Sequence, residues 1–144
     1  MWMPLGKKVA IVGADFVACE LAEFLASKRR NVVILGSGIQ MTTEMPIPSQ
    51  WRLLNSVLER GVTMLTEAKC QEITVDGLVI TTKEGERQTI DADTVVFAEG
   101  TEPNPRLFQA IEDKVSPVYL AGDYREIGLI KGAIADGART ALSI

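Results

Sequence analysis

The residues most able to do chemistry stand in the turn Gly13-Ala14-Asp15-Phe16-Val17-Ala18, directly behind the apolar run Val9-Ala10-Ile11-Val12. A strand-to-helix turn that holds a dinucleotide pyrophosphate follows G-x-G-x-x-G/A. The first glycine makes the turn, the second admits the pyrophosphate, and the third position is small so that helix and strand pack closely. Gly13 and Ala18 fill the first and third positions. Asp15 takes the second, where a carboxylate opposes the charge of phosphates seated on a helix N-terminus. A further selectivity position lies at the end of the next strand, where an acid would bond the adenosine ribose and an arginine would favour a 2′-phosphate. Gly36 stands there, twenty-three residues after Gly13, followed by Ser37 and Gly38, so neither signal is present.

Other chemistries are excluded by composition. The chain of 144 residues has no histidine, which removes imidazole catalysis and histidine-ligated metals. Cys19 and Cys70 are too far apart for a C-x-x-C redox pair or a metal knuckle, and they read as buried free thiols. The net charge of −4, without a basic stripe interleaved with aromatics, argues against a nucleic-acid partner. No apolar run approaches the roughly 20 residues that span a bilayer, so no membrane partner is expected. The opening Met1-Trp2-Met3-Pro4-Leu5-Gly6 has no signal-peptide pattern, which makes a cytoplasmic protein the expectation.

The elements that must position the turn follow from periodicity. Val9–Val12 reads as a strand buried on both faces, and Phe16 to Lys28 as a helix whose apolar face carries Val17, Leu21 and Phe24, with Ala18 and Leu25 beside them. Val32-Val33-Ile34-Leu35 closes a right-handed βαβ unit. Met45-Pro46-Ile47-Pro48 reads as loop, and Ser49 as the N-cap of a helix that turns Trp51, Leu54, Val57 and Leu58 inward and closes at Gly61. Val62–Leu65 is a third parallel strand. The period then changes from 3.6 to 2: two strands flank Asp76-Gly77, a second turn lies near Glu84-Gly85, and Arg87–Ile90 completes an antiparallel meander before Thr94–Ala98. A short helix is expected near Leu107–Ile111, a buried strand at Val118-Tyr119-Leu120-Ala121, and a helix from about Leu129 to Leu142. The fold class is α/β, a Rossmann-like parallel sheet with an inserted meander and a C-terminal strand-helix segment.

With these elements in order, the phrase Val95-Val96-Phe97-Ala98-Glu99-Gly100-Thr101-Glu102-Pro103-Asn104 resembles the return strand of the NAD(P) domain in two-dinucleotide flavoproteins. The match lies in Ala98, Gly100, Pro103 and Asn104, with Glu99 replacing the usual threonine. Val118–Asp123 followed by Gly132-Ala133-Ile134-Ala135-Asp136-Gly137-Ala138 resembles the second FAD-binding segment. Within that superfamily the wording is most similar to the NADH:flavin oxidoreductase group, which includes 2,4-dienoyl-CoA reductase and carries an old-yellow-enzyme barrel. The resemblance implies that Gly122 and Asp123 approach the flavin ribityl chain, that the Gly132–Ile134 turn faces the isoalloxazine, and that Glu20 approaches nicotinamide. It also implies residues 1–100 as NAD(P) domain, 101–116 as connector and 117–144 as part of an FAD domain. The FAD domain's own glycine fingerprint, the barrel and an iron–sulfur cysteine cluster are not in this sequence.

The expected function is thus a pyridine-nucleotide-binding module of a flavin-dependent oxidoreductase, taking NAD(P) itself and FAD only in a full-length protein. Its partners would be the remaining FAD and barrel domains. Binding falls to Gly13–Ala18, Glu20, Gly36, Ser37, Gly100, Gly122, Asp123 and Gly132–Ile134, and no catalytic residue is named. One alternative stays open, since Asp15, Gly36 and Glu99 also suit a degenerate, non-catalytic Rossmann scaffold, or an electron-carrier docking domain, that no longer binds NAD(P).

Overall fold

A computed structural model describes residues 4–144. Met1 to Met3, part of the opening stretch read for a signal peptide, lie outside the described residues. The chain divides into two compact units, Met1–Glu99 and Gly100–Ile144.

The first unit is built on a parallel sheet of β1 (Lys8–Val12), β2 (Asn31–Leu35), β3 (Thr63–Leu65) and β7 (Thr94–Phe97), in the order β3-β2-β1-β7. Strands β2 and β3 are added on one side of β1 and β7 on the other, so the strand order switches sides at β1. That switch point, at the carboxyl ends of the strands, is where open α/β sheets bind ligands. Alternate residues of β1 serve two cores. Val9 and Ile11 pack with Ala18, Ala22, Leu25 and Val57 of the helices α1 (Phe16–Ser27) and α2 (Ile47–Glu59). Ala10 and Val12 pack with Leu78, Ile80 and Ile90 of a separate antiparallel sheet, β4 (Lys69–Thr74), β5 (Gly77–Thr81) and β6 (Arg87–Asp91). The meander therefore does for one sheet face what helices do for the other, and β1 is buried on both sides, as its unbroken apolar run requires.

Several local expectations are corrected. Helix α1 buries Ala18, Cys19, Ala22 and Leu25, whereas Val17 is 50% and Phe24 46% exposed. Small residues win that face because they let the helix lie close on the sheet; Phe24 instead lies beneath the Lys28 ammonium. Helix α2 begins at Ile47, not after a Ser49 cap. The Pro46 carbonyl accepts from the Ser49 and Gln50 N–H groups, and Pro48 sits in the first turn, where a missing N–H costs nothing. This start turns Leu53, Leu54 and Val57 inward and leaves Trp51 and Leu58 exposed. Gly61, at φ +76°, closes the helix as expected. The β4–β5 loop is Val75-Asp76, one residue earlier than Asp76-Gly77. Gly77 pairs with Thr74, and at φ +133° a Cβ on it would meet the Ile90 carbonyl oxygen at 2.1 Å.

In the second unit, α3 (Arg106–Ile111) and α4 (Ile130–Leu142) form near their expected places. Val118–Ala121 is not a strand. A strand needs a partner ladder for its backbone groups, and among the described residues none pairs with it. Its polar groups turn instead to α4 and the residue after it: the Leu120 carbonyl accepts from the Thr140 hydroxyl and the Tyr119 hydroxyl donates to the Ser143 carbonyl. Among the described residues no helix is long and apolar enough to cross a membrane.

Candidate functional site

The turn after β1 is fixed by backbone bonds on both sides. Gly13 N–H donates to the Leu35 carbonyl at 2.8 Å, and Ala98 N–H to the Val12 carbonyl at 2.8 Å. Gly13, at φ +151°, lies so close to β7 that a Cβ on it would meet the Ala98 carbonyl oxygen at 2.2 Å and the Ala18 Cβ at 3.2 Å. The first and third fingerprint positions therefore do their packing work here: a glycine where the strands close in, and a small residue where the helix touches the strand.

Asp15 takes a different role from the one its charge suggested. It is the N-cap of α1, with extended backbone, and its Oδ1 accepts from the Ala18 N–H at 2.9 Å. Aspartate is among the best residues for this position because it satisfies an amide the helix leaves orphaned. A second carboxylate reaches the same helix end. Glu44 Oε1 accepts from the Phe16 N–H at 2.5 Å. The negative charge is felt below: burial pushes the Cys19 thiol up to about 12, and Asp15 and Glu44 add to the shift.

Gly36 ends β2 with its N–H donated to the Leu65 carbonyl and its carbonyl accepting from Ala68. It borders a cavity of about 340 Å³ lined by Val12, Leu35, Gly36, Ser37, Lys69, Cys70 and Glu99, among others. The structure thus brings Gly13–Ala18, Gly36 and Ser37 to one end of the sheet. Glu20 lies on the exposed side of α1.

The remaining expected residues belong to the second unit. Gly100, at φ +68°, opens it. Gly122, at φ +65°, donates its N–H to the buried carboxylate of Asp136 at 2.8 Å, and Asp136 also accepts from Arg125 and Arg139. Asp123 Oδ1 accepts from Gly128 N–H at 3.2 Å, closing the loop before α4. Gly132, Ala133 and Ile134 do not form a turn. They lie inside α4, where Ala133 N–H already bonds the Leu129 carbonyl. The helix begins at Ile130, close to its expected start near Leu129, and this places Gly132, Ala133 and Ile134 within its first turns.

Sequence reasoning missed Glu44, Lys69 and Cys70. An acid in an irregular loop has no periodic signal, Lys69 belongs to no motif, and Cys70 reads from its spacing only as a free thiol.

The family model described as pyridine nucleotide-disulphide oxidoreductase matches residues 1–137. Among curated relatives, an NADH oxidase of Thermoanaerobacter brockii is 30% identical over 139 residues, covering 96% of this chain and 21% of the relative. A bilirubin reductase of Mediterraneibacter gnavus is 31% identical over 124 residues, covering 86% of this chain and 19% of the relative. Among solved structures, a 2-naphthoyl-CoA reductase superposes with a TM-score of 0.88 at 29% identity, over 99% of this chain and 22% of the reductase. The chain spans about a fifth of the length of each of these proteins. The match over residues 1–137, with the glycine turn, meander and return strand in order, establishes that the chain belongs to the pyridine nucleotide-disulphide oxidoreductase family.

Proposed function

We propose that the first unit binds a pyridine dinucleotide as a module of a larger flavin-dependent oxidoreductase. The observation that carries this reading is the switch point itself. Gly13 allows close approach of β7, α1 directs its N-terminus toward the strand ends, and the adjoining cavity borders Gly36 and Ser37. A pyrophosphate on α1 with the adenosine end toward that cavity suits this arrangement. The fit is incomplete at the turn, where two carboxylates already engage the Phe16 and Ala18 amides.

The nicotinamide and flavin supply the hydride chemistry when bound; this chain's residues bind and orient. In the whole enzyme, hydride from NADH or NADPH would reach FAD and continue to a barrel flavin and an unsaturated substrate. Residues 1–100 would serve as the NAD(P) domain, 101–116 as connector and 117–144 as the partial FAD segment. In that last segment the Asp136-pinned Gly122-Asp123 turn would meet the ribityl chain, within a cofactor site completed by the remaining FAD domain. Glu20 would approach nicotinamide. A cytoplasmic setting suits a nicotinamide-dependent module with two free cysteines. Membership in a family of reductases and oxidases weighs against a scaffold that has lost its ligand.

Calorimetric titration of the folded chain with NADH and NADPH tests the reading. Saturable heat is expected, and no heat at millimolar ligand overturns it.

A further inference from the structure

Two carboxylates sit on the N-terminus of α1, and they arrive there differently. Asp15 is local, three residues from the amide it caps. Glu44 comes from a loop twenty-eight residues away to accept from Phe16 N–H. That loop is fastened on both sides of Glu44. Thr42 N–H donates to the Ala14 carbonyl at 2.6 Å, Met45 N–H to the Thr42 carbonyl at 3.1 Å, and Gln50 Nε2 to the Met41 carbonyl at 2.7 Å. Among the described residues neither Asp15 nor Glu44 pairs with a lysine or arginine. The helix end alone holds this charge.

A separate observation concerns Thr42. It is 1% exposed, and its hydroxyl is buried without a hydrogen-bond partner. It also holds φ +55°, in the left-handed region that a β-branched residue rarely adopts. An orphaned hydroxyl and an unfavourable backbone in one residue describe a loop kept in place by what it docks on, and such features gather where segments move.

We propose that Glu44 is a built-in competitor for the dinucleotide phosphate: the Met41–Met45 loop seats its carboxylate on the Phe16 amide, and a pyrophosphate binds by displacing it. The inference rests on the dinucleotide reading above and adds to it a regulation of the same site. Binding is then coupled to movement of this loop, and the closed loop lowers affinity for any ligand that presents phosphate to α1.

The test uses the 144-residue chain with ADP as probe, in wild type, Glu44→Gln and Glu44→Ala, by calorimetry and by amide resonances. Glu44→Ala is expected to bind ADP about tenfold more tightly than wild type, with Glu44→Gln between them, because a like charge leaves the phosphate position. The Phe16 amide resonance should move in free Glu44→Ala, and in wild type only on saturation with ADP. If wild type binds ADP and Glu44→Ala binds it no more tightly, Glu44 is a structural loop anchor and the proposal fails. If none of the three folded chains binds ADP at millimolar concentration, the dinucleotide reading itself fails and takes the proposal with it.

Discussion

The Cβ of Ala14 stands 2.3 Å from where a Cβ on Gly36 would begin. One departure from the dinucleotide pattern, a second strand that ends without an acid, is therefore tied by packing to the residue behind the first glycine, a position the pattern leaves open. Ala14 fills the space that a side chain at position 36 needs. The missing ribose acid follows from sterics at the crossing of two backbones.

Placing an aspartate at this strand end should accordingly fail to restore a ribose ligand cleanly. Gly36→Asp is expected to lower the unfolding free energy by about 1–3 kcal/mol, the usual cost of overpacking. Combining it with Ala14→Gly should recover part of that loss. Urea midpoints of the two single variants and the double variant, closed into a cycle, measure the coupling; additive losses would show that the two residues do not compete for space.

Asp15 carries two effects that substitution can separate. Asp15→Asn keeps an oxygen able to cap Ala18 and removes the charge. It should bind NADH more tightly than wild type at near-unchanged stability, with the gain shrinking as salt is added. Asp15→Ala loses the cap as well and should cost about 1 kcal/mol of stability. Calorimetry at two ionic strengths beside thermal melts distinguishes the variants.

Gly13 tolerates no side chain. Gly13→Ala places a Cβ 2.2 Å from the Ala98 carbonyl oxygen at φ +151°, so β1 and β7 must separate. A loss of about 3 kcal/mol or more is expected, at the severe end for a single methyl group. Equal melting temperatures of variant and wild type would contradict the close approach.

Cys19 predicts an alkaline dependence whose sign is definite. Its folded thiol titrates at about 12 rather than near 9.0, so the folded state favours the protonated form. The associated stability is intact below about pH 9 and declines as pH rises toward about 12. Cys19→Ala should flatten that decline in denaturant titrations. In native protein at pH 8, alkylating reagent should reach half-buried Cys70 well before Cys19.

Asp136 pins the turn that bears Asp123. Asp136→Ala leaves the Gly122 amide and two guanidinium groups without their partner and should cost about 1–3 kcal/mol within the second unit. Hydrogen exchange should rise at Gly122–Gly128 while β1 and β2 stay protected. Uniform loss of protection across both units would show a global role instead.

The sequence by itself determined the parts of this protein that repeat. Val9–Val12 and Val32–Leu35 are continuous apolar runs because both sheet faces are covered, and the change of period after Leu65 announced the meander that covers one of them. Gly13 and Ala18 were legible because close packing leaves few residue types that fit. Only the tertiary structure decided what fills the turn. Whether Asp15 repels a phosphate or caps a helix depends on side-chain direction, and Glu44 meets Phe16 through a loop whose path no local spacing encodes. The helix faces moved for the same reason. Val17, Phe24 and Trp51 are left exposed, whereas Ala18, Ala22 and Val57 on the same helices fit the distance to the sheet. Periodicity reports which residues can be buried together; the geometry of the neighbouring element chooses which of them are.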